Sequence, residues 1–194
     1  MNIRISKTWE WNSGIVLGKE FCINDYAASI EMFTEGDNEA DHRRALERAQ
    51  WWFQDVLQDA VLIEYDDTLR AAYEKTGQRI IALPYTPIDH VILMMLYCKL
   101  NAIMEQRLVV SQIHLSSTVG NRVTYSHHMD DDLMGFEVDG WWCEHHPIWA
   151  NNIQKPLPDS VINIDRQLEW HDLGLTWESE EKDSTVVDFR DGKK

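Results

Sequence analysis

The apolar positions of this chain change period several times, and each change marks an element. From Ile3 to about Phe33, β-favouring residues alternate with polar ones, as in Gly14-Ile15-Val16-Leu17-Gly18 and Ser29-Ile30-Glu31-Met32-Phe33. The pattern predicts two or three strands in a meander. Gly36-Asp37-Asn38 then supplies a break and an N-cap, and Leu46, Ala49, Phe53, Val56, Leu57 and Ala60 form a helical stripe that predicts a helix over Glu39 to Gln58.

Ala60 to Tyr65 reads as a short strand. Asp66 or Asp67 is placed to cap a helix carrying Leu69, Ala72 and Tyr73 and ending at Gly77. Arg79 to Leu83 is another strand, and Thr86-Pro87 is an N-cap and N1 pair for a helix running to about Glu105, wide enough in its apolar stripe to be central. Arg107 to Ser117 and Arg122 to His128 are strand-like, with Gly120-Asn121 as the turn of a hairpin. Beyond Trp149 the pattern weakens, and residues 178–194 are polar. The expected architecture is a single α+β domain over 1–177, a mixed or antiparallel sheet packed by about three helices, with a C-terminal tail over 178–194.

Charge narrows the choice of partners. Thirty-three acidic against eighteen basic residues give a formal charge of −15, which repels phosphate backbones and anionic headgroups and favours a partner with a basic surface. Neither direct nucleic-acid binding nor membrane binding is expected: the N-terminus has no apolar signal core, and Asp89, His90 and Lys99 interrupt the longest apolar stretch. Cys22, Cys98 and Cys143 are odd in number and scattered, which suits reduced thiols in a cytoplasm.

Three groups of residues could carry chemistry. His127 and Asp130, with Cys143 and His145 close behind, are the atom types that hold zinc or another divalent ion, and a two-residue turn at Gly120-Asn121 would set His114 directly opposite His127. No HExxH, HxxEH or paired CxxC spacing accompanies them, and adjacent histidines on a strand point to opposite faces, so surface or hydrogen-bonded histidines are the alternative. The segment with Trp141, Trp142 and Trp149, next to Asp131 and Asp132, could bind a ligand or partner, or could roof the core. Asp89, His90, Lys99, Asn101 and Glu105 place polar groups on the central helix; Lys99 and Glu105 are expected on a solvated edge in structural roles. GxxxxGK[ST], GxGxxG and GxSxG are absent.

The runs Leu83-Pro84-Tyr85-Thr86-Pro87-Ile88-Asp89, Lys99 to Arg107, Ser116 to Gly120 and Gly140-Trp141-Trp142 resemble small uncharacterised accessory proteins of T4-like tailed bacteriophages. The resemblance implies a setting, a bacterial host cytoplasm, and no activity. The leading expectation is a non-enzymatic accessory protein, without a cofactor, that binds a host or phage protein or a small ligand through an acidic face and the Trp-rich loop. The alternatives are a metal-dependent hydrolase or nuclease using His114, His127, Asp130 and His145, and an oligomeric structural or assembly protein.

Overall fold

The computed structural model describes residues 3–133, 135–136, 140–147 and 168–178. Trp149 and the tail expected over 178–194, apart from Glu178, lie outside the described residues. The N-terminal alternation resolves into one long hairpin. Strand β1 (Arg4–Leu17) pairs antiparallel with β2 (Glu20–Thr34) in an unbroken register from Arg4↔Phe33 to Leu17↔Glu20. The tight reversal falls on Gly18, whose φ of 65° suits a residue without a Cβ. Trp9, Trp11 and Ile15 of β1 and Tyr26, Ala28, Ile30 and Met32 of β2 are buried on one face, while Ser6, Thr8, Glu10 and Glu31 on the other are exposed, as a sheet with one solvated face requires.

The remaining elements are α1 (Glu39–Trp51), β3 (Val61–Glu64), the short α2 (Arg70–Glu74), β4 (Ile80–Leu83), α3 (Asp89–Met104), β5 (Leu108–Ser117) and β6 (Tyr125–His128). They complete a six-stranded mixed sheet of order β4-β3-β1-β2-β5-β6, in which β3 runs parallel to both its neighbours. This is an α+β domain. Side chains of α1 and α3 join the tryptophan face of the sheet in the main core, and Leu69 and Tyr73, flanking and within α2, cover Val16, Val61, Ile63 and Ile80. Asn38 caps α1 as expected, its Oδ1 accepting from the amides of Ala40 and Asp41. The predicted helix over Glu39 to Gln58 is continuous in course, but from Trp52 to Leu57 it is a π-helical turn, with the Gln58 amide reaching back to the Phe53 carbonyl.

Three local expectations are corrected. The helix after Asp67 is shorter than expected, Arg70–Glu74, and follows a turn in which Asp67 accepts from the Leu69 amide. Thr86 does not cap α3: its hydroxyl donates to Glu64 at 2.8 Å, and Ile88 is the N-cap, in an extended conformation with no side-chain capping bond. The β5–β6 connection is longer than a two-residue turn. Asn24 accepts from Thr118 Oγ1 and the Val119 amide, Arg122 N–H closes on the Ser117 carbonyl, and Asn121 and Arg122 are both left-handed. Gly120 packs against the α3 N-terminus, where a Cβ would lie 2.1 Å from Asp89 Oδ2; Ser117 Oγ, which accepts from the Gly120 amide, is hydrogen-bonded to that same carboxylate.

The C-terminal segment is held by a buried guanidinium. Arg48 of α1 donates to the carbonyls of Leu175 and Ile103 and to Glu105 at 2.6 Å, and its guanidinium lies 3.6 Å from the Trp177 ring centre and 4.7 Å from that of Trp170. Glu105 also accepts from the Trp177 indole, so it is an anchor rather than a solvated helix end. Truncating Arg48 to Ala leaves these acceptors and a part-buried carboxylate unpaired, and is expected to lower stability by about 3 kcal/mol in urea unfolding followed by tryptophan fluorescence; an unchanged midpoint would contradict this role.

Candidate functional site

The Trp-rich segment is built around a buried amine. Lys99 sits mid-way along α3, 2% exposed, and its Nζ donates to three backbone carbonyls of that segment: Glu144 at 2.7 Å, His146 at 2.8 Å and Trp141 at 3.3 Å. Three ammonium protons thus meet three acceptors in a stretch whose regular structure is one short 3-10 turn. This corrects the placement of Lys99 on a solvated edge. Trp141 is buried with its indole donating to the Ala82 carbonyl, and the half-buried Trp142 donates to Phe136. Trp170 closes the arrangement by donating to the His145 carbonyl at 2.6 Å. Of the two readings left open for this loop, the described tryptophans form a roof over the core.

The proposed metal ligands do not converge. Residue pairing along β5 and β6 sets His114 opposite Ser126 and His127 opposite Ile113, one position away from the predicted register, because the longer loop shifts the return strand. A shift of one moves a side chain to the other face. His114 therefore lies on the outer face, its Nδ1 2.6 Å from Ser126 Oγ, while His127 is buried edge-on to Tyr97, with its Nε2 meeting no hydrogen-bond partner among the described residues. Burial lowers the His127 pKa, with Asp131 opposing. Asp130, Asp131 and Asp132 are exposed, Asp131 accepting from the His128 amide. The Cys143 thiol contacts the Phe136 carbonyl at 3.9 Å. Among the described residues, the ligand atoms that do gather, within 4.8 Å of one another, belong to Glu144, His145 and His146. Because this stretch is not a strand, both imidazoles fall on one side, their rings 4.0 Å apart, and Glu169 accepts or shares a proton with His146 Nδ1 at 3.0 Å.

A different feature was invisible in the sequence. Strand β3 meets β1 only at Gly14 and Ile15, so the N-terminal part of β1 has an unpaired edge inside the sheet. The Thr34 amide donates to the Ile3 carbonyl, which fixes the odd-numbered backbone groups of β1 toward β2 and the even-numbered ones toward the open edge. At Asn12 that edge is closed, by Gln58 Oε1 on its amide and the Asp59 amide on its carbonyl. Among the described residues nothing bonds the edge-facing backbone of Ser6, Thr8 or Glu10. Beside it opens a cleft of about 450 Å³ lined by Thr8, Trp9, Glu10, Gln50, Phe53, Gln54 and Gln58, continued by a second of about 380 Å³ that reaches Lys7, Arg43, Trp51 and Leu173. Trp9 floors the first, stacked 4.9 Å from Phe53 and donating to Gln50. The mismatch between a fourteen-residue β1 and a four-residue β3 is the only sequence signal, and it requires knowing that these strands pair.

No protein-family model matches the chain, and no curated protein does. Among solved structures it is similar to the uncharacterized protein WS1659 from Wolinella succinogenes, at 9% identity and a TM-score of 0.48, over 67% of this chain and 99% of that one. Among the described residues, no helix is long and apolar enough to cross a membrane.

Burial pulls the Lys99 pKa from 10.5 down to about 7, with Glu144 and Cys143 partly opposing. An unfolded chain holds this proton until about pH 10, so between about pH 7 and pH 10 the unfolded state binds more protons and stability rises with pH. Urea unfolding across that window is expected to show a rise in the wild type that exceeds the rise in Lys99→Met; equal slopes would contradict the burial of this amine.

Proposed function

We propose that the chain is a binding module that takes an extended segment of a protein partner onto the open edge of β1. The observation that carries the reading is the row of unpaired backbone groups at Ser6, Thr8 and Glu10 beside an open cleft. Unpaired strand edges are sticky, and a protein either blunts them or uses them; added strands gain affinity from main-chain bonds and selectivity from alternate side-chain pockets. The cleft lining favours this use, since Gln54 and the amide nitrogen of Gln50 offer hydrogen bonds and Trp9 an apolar floor. The excess of acidic residues favours a partner with basic flanks. From the resemblance to T4-like phage proteins, the setting we propose is a bacterial cytoplasm, with a host or phage protein as the partner.

The test is amide hydrogen exchange on the full chain at high dilution. Ser6, Thr8 and Glu10 are expected to exchange at least about a hundredfold faster than Lys7 and Trp9, whose amides face β2. Protection of the three at high dilution would mean that the edge is already covered within the chain, and would overturn the reading.

A second reading rests on the grouping of Glu144, His145 and His146. We propose a divalent cation such as zinc there, with the Glu169 carboxylate orienting His146 so that Nε2 ligates. Zinc titration by native mass spectrometry is expected to show one ion per chain, with affinity lowered at least about tenfold in His146→Ala; equal affinity in that variant would contradict it.

A further inference from the structure

The open edge of β1 is complementary to itself. We propose that it pairs antiparallel with the same edge of a second copy of this chain, joining two sheets across a two-fold axis. The inference rests on the reading of this edge as a docking surface and places there a second copy of the chain instead of a segment of another protein.

The register follows from where the edge ends. Asn12 is already bonded by Gln58 and Asp59, so among the described residues of β1 an incoming strand finds free backbone at Arg4, Ser6, Thr8 and Glu10. These positions are symmetric about Lys7. Antiparallel pairing centred on Lys7 sets Arg4 opposite Glu10 of the second copy and Ser6 opposite Thr8, and the two-fold axis repeats both pairs. Every edge-facing amide then meets an edge-facing carbonyl. The four side chains lie on the exposed face of the sheet, where residues directly opposite approach within about 5 Å, so the pairing makes two ion pairs of opposite sign.

Other registers lose this match. Centring on Ser6 sets Glu10 beyond the start of the strand, and centring on Thr8 sets Arg4 opposite the occupied Asn12. On the helix face Lys7 meets its own copy, one unfavourable pair, although its ammonium is drawn 5.0 Å from the Trp9 ring centre. The outermost strands are poorer candidates: β4 and β6 span only four residues each. Two chains of charge −15 repel each other at low salt, so association is best read near an ionic strength of about 0.15 M, where the Debye length is about 8 Å.

The test is sedimentation velocity of the full chain from about 1 to about 100 μM, a range over which a micromolar dimer shifts by mass action. The mass is expected to pass from one chain to two. Arg4 and Glu10 are exposed, so Arg4→Glu and Glu10→Arg leave folding intact, checked by an unchanged unfolding midpoint. Each reversal is expected to weaken association about tenfold, and the double reversal to restore it to within about threefold of wild type. A monomer at every concentration, a dimer indifferent to the single reversals, or a double variant as weak as the singles would each overturn self-pairing. The exchange measurement separates this failure from failure of the docking edge: a monomer whose Ser6, Thr8 and Glu10 amides exchange fast sinks only the second copy, whereas protection at high dilution sinks both.

Discussion

The described stretch 140–147 hangs on the amine of Lys99. Within residues 140–147 a short 3-10 turn over Trp141–Cys143 satisfies the Gly140 and Trp141 carbonyls but not those of Glu144 and His146, and a buried carbonyl without a partner costs about 1–3 kcal/mol. In its protonated form, which burial confines to below about pH 7, the Lys99 ammonium meets three carbonyls of this stretch at once. Arg48 ties residues 168–178 to α1 by donating to the Leu175 carbonyl and lying against the rings of Trp170 and Trp177. The two segments then lock to each other through Trp170 and the His145 carbonyl. Buried charge is expensive unless it is hydrogen-bonded, and both cations are bonded to carbonyls of these segments.

This arrangement also accounts for the tryptophans. Trp9, Trp11, Trp52, Trp141, Trp170 and Trp177 are buried, and Trp51 and Trp142 are half-buried. Among the described residues two long helices, α1 and α3, pack on the tryptophan face, and large aromatic side chains fill the core between them and the sheet, while α2 covers the small cluster on the opposite face. The described tryptophans serve the core.

Much of the fold was legible in the sequence because period and capping are local. The alternation from Ile3 to Phe33, the Asn38 cap and the stripe ending near Gln58 all appear as elements within a few residues of the expected bounds. What was not legible is set by distant partners. Thr86 looks like a cap until Glu64 takes its hydroxyl, and Gly120-Asn121 looks like a two-residue turn until Asn24 and Asp89 claim the loop. The one-residue register shift that follows separates His114 from His127, and with it the expected metal set. Lys99 carried no local mark of its role, since a lysine on a mostly apolar helix reads as an edge residue until the three carbonyls above it are known. The open edge of β1 depends on how far β3 runs beside it, which no window of sequence contains.

The most direct test of this account is the exchange rate of the Trp141 indole proton, followed by NMR in the wild type and in Lys99→Met. Methionine keeps the volume but donates nothing, so the three carbonyls lose their partner and the roof should open. The Trp141 indole, bonded to Ala82, is predicted to lose protection along with Trp170, while the Trp9 indole on Gln50 keeps its own. Undiminished protection of Trp141 in the variant would mean that packing alone holds the segment, and would contradict the role given to Lys99.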